Sequence, residues 1–121
     1  MQYSASNLAV LRGTVTGEPS ARELAGGSLV VHFSVATRLG SDASVSVPVA
    51  WHDPSPSGRN AVAAEREVVV VGTVRRRFFR SGGATQSRTE VVADRVVPAG
   101  RTKTVRSLLG SVAAQLGVGD V

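Results

Sequence analysis

Cysteine is absent from this 121-residue sequence, and aromatic residues are scarce, at 4%. Without cysteine the chain has no disulfide, zinc knuckle or thiol nucleophile. No apolar stretch approaches the length that spans a bilayer, and the first residues lack the charged and apolar layout of a signal peptide. We therefore expect a cytoplasmic protein that does not contact a membrane.

Residue groups that carry out catalysis or bind metals are also lacking. No nucleophile, base and orienting residue stand together in the sequence, which argues against an enzyme. The two histidines, His32 and His52, have no cysteine and no carboxylate at ligand spacing, which argues against a metal site. We expect their imidazoles to be hydrogen-bonded within the protein or exposed to solvent. We expect neither a metal nor another cofactor.

Lysine is almost absent, whereas arginine is abundant. Thirteen of the fourteen basic residues are arginine, and the formal net charge is +5. A positive balance of this size favours an anionic partner, although it carries no information about the fold. How the arginines cluster along the chain is therefore more informative than their number.

Five stretches have the composition of β-strands, being rich in β-branched and apolar residues, mostly with period-two alternation. They are residues 7–15, 29–35, 44–52, a valine run from Val68, and residues 86–97. Residues 17–19 and 25–27 predict turns, residues 38–43 predict a loop, and residues 81–84 predict a hairpin tip. Between the third and fourth strands, residues 60–67 predict at most a short helix.

This order of elements predicts one all-β domain, a five-stranded barrel that is closed or partly open. We assign residues 1–100 to the barrel and residues 101–121 to a C-terminal element. Apolar residues at helical spacing predict an amphipathic helix from Thr102 to Leu116, ending at Gly117. They are Val105, Leu108, Leu109, Val112 and Leu116.

Residues 68–80 join a buried-strand pattern to a cationic and aromatic run. Guanidinium groups neutralise phosphates and aromatic faces stack on bases, so the run has the composition of a site for single-stranded nucleic acid. Alternation places Arg75, Arg77 and Phe79 on one side of the strand. We expect Arg76 to be a rim or packing residue and Phe78 to pack inward. The alternative is a solvated strand end, because arginines on an exposed edge also discourage wrong strand pairing.

Four segments, in the right order, resemble the bacterial single-stranded DNA-binding protein family. They are residues 7–19, 33–37, 49–51 and 89–93, and the resemblance extends over roughly residues 7–97. It implies an OB-fold barrel that binds single-stranded DNA with little sequence preference, in DNA replication, repair or recombination. It also implies a homo-oligomer, dimeric or tetrameric.

The resemblance implies particular site residues as well. Base-stacking rings fall at Trp51 and Phe79, and phosphate-contacting arginines fall at Arg75 and Arg77. Because Trp51 alternates with valines, a core position stays open as the alternative. Further candidate phosphate contacts, each equally compatible with a solvated arginine, are Arg80, Arg88, Arg38 and Arg12. The chain lacks other aromatics that the family has, so we expect a lower affinity than is typical of it.

The C-terminal helix departs from the family, which commonly ends in a flexible tail with an acidic tip. The last six residues contain no acidic cluster, so we do not expect partner recruitment by that route. The helix either covers the barrel's own apolar surface or forms an oligomer contact, and we prefer the contact, through the five apolar residues named above. A protein-interaction module with weak or no DNA binding is the rival function. RNA binding is a third, since nothing in the sequence reports on the 2′-hydroxyl.

Overall fold

A computed structural model describes residues 5–117 and shows a closed five-stranded barrel with two helices. The elements are β1 (Ala9–Glu23), β2 (Leu29–Thr37), β3 (Val45–His52), α1 (Pro56–Asn60), β4 (Glu67–Ser81), β5 (Ala84–Pro98) and α2 (Thr102–Gln115). The strands follow the order β1-β2-β3-β5-β4 around the barrel, antiparallel except for β3 and β5. The predicted barrel, the short helix between β3 and β4 and the C-terminal helix are confirmed.

Two apolar clusters lie on opposite sides of the barrel wall. Alternate residues such as Phe33, Val49 and Val70 fill the interior, while Val69 and Val71 point outward under α2. The valine run of β4 is therefore buried on both faces, which explains why it does not alternate with polar residues. This run contributes alternate valines to the interior cluster and to the cluster under α2.

Strand β1 is continuous where a turn was predicted. Residues 17–19 form a register irregularity between Thr16 and Ser20, and Gly17 has a φ of 69°. Glycine accepts this left-handed conformation without steric cost, so the chain bends instead of reversing. Strand β1 changes partner ahead of this bend: it pairs with β4 up to Thr14 and with β2 from Thr14 onward, which closes the barrel. The predicted turn is wrong because the chain only bends there.

Helix α1 begins earlier than residues 60–67, where a short helix was predicted. Ser55 caps it, its Oγ accepting a hydrogen bond of 3.0 Å from the Gly58 N–H, and Pro56 occupies the first helical turn. A serine cap followed by proline is a favourable helix start. A Cβ added to Gly58 would lie 2.9 Å from the Trp51 ring, so the helix packs directly against that ring.

Helix α2 packs on the outside of its own barrel. Leu108, 2% exposed, and Val112 are buried against β4 and β5, and Val105 is partly buried beside them. The chain's own sheet thus covers Leu108 and Val112, while an oligomer contact through the helix stays a prediction. Leu109 and Leu116 remain about half exposed. Neither helix in the described part of the chain is long and apolar enough to cross a membrane.

Beyond the barrel, β4 and β5 continue as a two-stranded hairpin, residues 73–90, which we call the arm. Strand β1 pairs with β4 only as far as Gly72, and β3 pairs with β5 only from Val91 onward. At its base, a Cβ on Gly72 would lie 2.1 Å from the Val92 carbonyl oxygen, so only glycine fits there. The predicted tip at residues 81–84 is confirmed, and Gly82 and Gly83 supply its positive φ angles.

Candidate nucleic-acid interface

The arm has two faces, because side chains alternate along both of its strands. The pairs Arg75↔Glu90, Arg77↔Arg88 and Phe79↔Gln86 share one face. We call Arg75, Arg77, Phe79, Arg88 and Glu90 the basic face. The register thus confirms that Arg75, Arg77 and Phe79 lie on one side, and it adds Arg88 directly opposite Arg77.

A buried carboxylate lies at the centre of the basic face. Glu90 is 2% exposed, and its Oε1 accepts a 2.8 Å hydrogen bond from Arg77 Nε. Arg75 Nη2 lies 3.7 Å from the same oxygen. A buried charge needs such partners, and here the partnership also holds the Arg77 guanidinium in one place. Glu90 was missed as a site residue, although it is the only acidic residue in the arginine-rich arm.

The ring of Phe79 is ordered by its neighbour on the basic face. The Arg77 guanidinium carbon lies 5.2 Å from the ring centroid, within cation–π distance. Phe79 is partly buried. The connected series Glu90, Arg77, Phe79 therefore fixes a charge and a ring side by side.

Phe78 lies on the opposite face and does not pack inward. It is 66% exposed, because at this point the arm has left the barrel and no interior lies behind it. The prediction of inward packing is wrong. Arg76 lies over this ring at 5.5 Å, and its Nη2 donates a 3.1 Å hydrogen bond to Ser87 Oγ.

The basic face continues onto the outer surface of the barrel. Arg88 and Glu90 line a shallow cavity of about 170 Å³ together with His32, Ser34 and Pro48 of β2 and β3. Glu18 of β1 also lines this cavity. The result is a groove between the arm and the β2–β3 surface, with Arg88 and Glu90 on its arm side.

His32 in this groove has a pKa below its ordinary value of 6.5. Burial is the largest cause, because it disfavours the charged imidazolium. Glu90 acts in the opposite direction, and Arg77, Arg22 and Arg88 lower the pKa further. The imidazole is therefore mainly neutral at pH 7 and adds no charge to the groove.

Trp51 lies inside the barrel and not in the groove. It is 9% exposed, it belongs to the interior cluster, and α1 packs against its ring. An indole so placed presents almost no surface to a base. The structure therefore shows Trp51 at a core position, which is the alternative that the sequence left open.

The remaining candidate arginines do not gather in the groove. Arg80 lies on the Phe78 side, where its Nη2 donates to the Gly83 carbonyl at 3.3 Å. Arg38 is exposed in the β2–β3 loop. Arg12 pairs opposite Val69 on the α2 side of the barrel and forms a 2.8 Å ion pair with Glu67.

Comparison with solved structures supports this fold. An SSB of Plasmodium falciparum, solved in complex with single-stranded DNA, is similar at a TM-score of 0.65 and 22% sequence identity. The similarity covers 80% of this chain and 96% of that one. Comparison with family models gives no match, and comparison with curated proteins gives none. What the likeness shows is the fold: this chain has an OB-type barrel like that of the Plasmodium protein.

Proposed function

We propose that the protein binds single-stranded DNA with little sequence preference and without catalysis. The observation that carries the proposal is the basic face, on which Arg75, Arg77, Arg88 and the ring of Phe79 share one side of the arm, beside a groove that Arg88 lines. Arginine and an aromatic ring in one groove match the two parts of a nucleotide strand, its phosphates and its bases. The shared fold with an SSB solved with single-stranded DNA adds support.

The arginines bind the phosphates in this mechanism, and the ring stacks on a base. Arg77 uses Nε to hold Glu90, which leaves its two terminal nitrogens for a phosphate. Because Glu90 already orders Arg77, and Arg77 orders Phe79, binding costs less side-chain entropy. Stacking does not depend on base identity, so the site reads no sequence.

We take Arg75, Arg77, Phe79 and Arg88 as the site, with Arg38 as a peripheral contact, and leave out Arg80 because it lies on the opposite side of the arm. Trp51 and Arg12 are left out because of where they lie. A protein of this kind would act in the cytoplasm in DNA replication, repair or recombination. We also propose a homo-oligomer, which a particle mass measured in solution tests separately.

The test is a fluorescence-anisotropy titration of labelled oligo-dT across a range of salt concentrations. We expect tight binding at low salt that weakens steadily with salt, because phosphate contacts release counterions. Phe79→Ala should weaken binding by about 1–3 kcal/mol with little change in the salt slope. Arg88→Ala should flatten the slope by about 0.7.

Arg12→Ala is the matched control for Arg88→Ala, since it removes the same charge on the far side of the barrel. It should leave both affinity and slope close to those of the unmutated protein. Absence of any binding at low salt would overturn the proposal and leave the protein-interaction module as the better function. Tighter binding of oligo-rU than of oligo-dT would make RNA the ligand.

A further inference from the structure

The face of the arm opposite the basic face carries an exposed ring that the proposed site does not use. Phe78 is 66% exposed, in a chain where aromatic residues make up only 4%. Val74 on the same face is also exposed. Large apolar side chains exposed together on one side of a hairpin indicate a contact surface.

This second face has the same organisation as the first. The Arg76 guanidinium lies 5.5 Å from the Phe78 ring, and the Arg77 guanidinium lies 5.2 Å from the Phe79 ring. Ser87 across the hairpin fixes Arg76, through a 3.1 Å hydrogen bond. Each face of the arm therefore presents a guanidinium held against an exposed or partly exposed phenylalanine.

The charge of the second face suits a polyanion. Residues 73–89 contain no acidic residue, and the one carboxylate of the arm, Glu90, lies on the other face beside Arg75 and Arg77. The positive charges of Arg76 and Arg80 are thus not offset within the arm. Three hydroxyl groups on the same face offer further hydrogen bonds, those of Thr85, Ser87 and Thr89.

We propose that this second face, formed by Val74, Arg76, Phe78 and Arg80, is a second binding surface for single-stranded nucleic acid. A strand long enough to pass round the tip of the arm then contacts both faces, whereas a short strand occupies only the basic face. This proposal rests on the proposed function and extends the length of strand that one chain holds. The arm reaches about 20 Å from Arg75 to Ser81, at about 3.3 Å per residue.

The experiment compares Phe78→Ala with Phe79→Ala on two lengths of oligo-dT. The short oligonucleotide has about 6 nucleotides and the long one about 30, near the lower end of and well above the about 4–16 nucleotides that one OB fold binds. Phe79→Ala should weaken both. Phe78→Ala should weaken the long one about fivefold or more and leave the short one unchanged, and Arg76→Ala should flatten the salt slope for the long one only.

The outcomes separate the two proposals. Loss with Phe79→Ala but not with Phe78→Ala on either length overturns the second surface and leaves the proposed function standing. No binding by the unmutated protein overturns both. Equal loss on both lengths with Phe78→Ala would make Phe78 part of the first site, and a change in particle mass with unchanged binding would make the face a protein contact. Either result overturns the second surface.

Discussion

Replacing Arg77 by alanine should destabilise the fold, because the buried carboxylate of Glu90 would lose its nearest positively charged partner. Breaking a fully buried ion pair costs about 3–5 kcal/mol, whereas a surface pair contributes about 0–1 kcal/mol. Here the carboxylate side is 2% exposed, but the arginine side chain is 36% exposed and Arg75 stays 3.7 Å away. We therefore expect Arg77→Ala to lower the unfolding free energy by about 2 kcal/mol.

The double variant Arg77→Ala with Glu90→Gln isolates the cause. The glutamine amide has nearly the same shape as the Glu90 carboxylate but carries no charge. The double variant should therefore regain most of the stability that Arg77→Ala loses. Urea unfolding followed by circular dichroism measures all four proteins of the cycle. If the double variant is no more stable than Arg77→Ala alone, the argument from the buried carboxylate is wrong.

The same pair has a consequence for binding. In Glu90→Gln the amide oxygen still accepts the Arg77 Nε hydrogen bond, but the negative charge beside Arg75 and Arg77 is gone. We expect tighter binding of oligo-dT at low salt and a slope steeper by up to about 0.7. A weaker affinity with an unchanged slope would instead mean that the charge of Glu90 is needed to position Arg77.

Three further predictions concern the fold and the groove. Leu108→Ala should cost about 2–5 kcal/mol in urea unfolding with no change in particle mass, because Leu108 packs within its own chain; a dissociated oligomer would contradict this. Gly72→Ala should lower the melting temperature strongly, since its Cβ would lie 2.1 Å from a carbonyl oxygen. The lowered pKa of His32 means that the unfolded chain binds more protons, so stability should fall as the pH drops below 6.5, and less so in His32→Gln.

Much of the fold was predictable from local pattern. β-Branched and apolar composition, mostly with alternation, located the five strands, the Gly82 and Gly83 pair located the arm's tip, and apolar spacing located α2. The turn predicted around Gly17 failed because a glycine with positive φ serves a bend in a strand as well as a reversal. Helix α1 was misplaced because its cap signal, Ser55 followed by proline, lies in residues 53–58, whose prolines, serines and glycine are also typical of a loop.

Which side chains on β4 share a face could be predicted from residue order alone, because alternation along a strand is a property of the backbone. Arg75, Arg77 and Phe79 were grouped correctly in this way. Which of the two faces is buried could not be predicted in this way, and it became visible in the folded chain. Trp51 points into a closed barrel under α1, whereas Phe78 lies where the hairpin has left the barrel.

The place of Glu90 on the basic face also became visible only in the folded chain. Its partners lie thirteen and fifteen residues away along the chain, on the other strand of the arm, and only the strand register brings them together. Period and composition describe one strand at a time. Burial depends on what packs against that strand, and that is settled when the barrel closes.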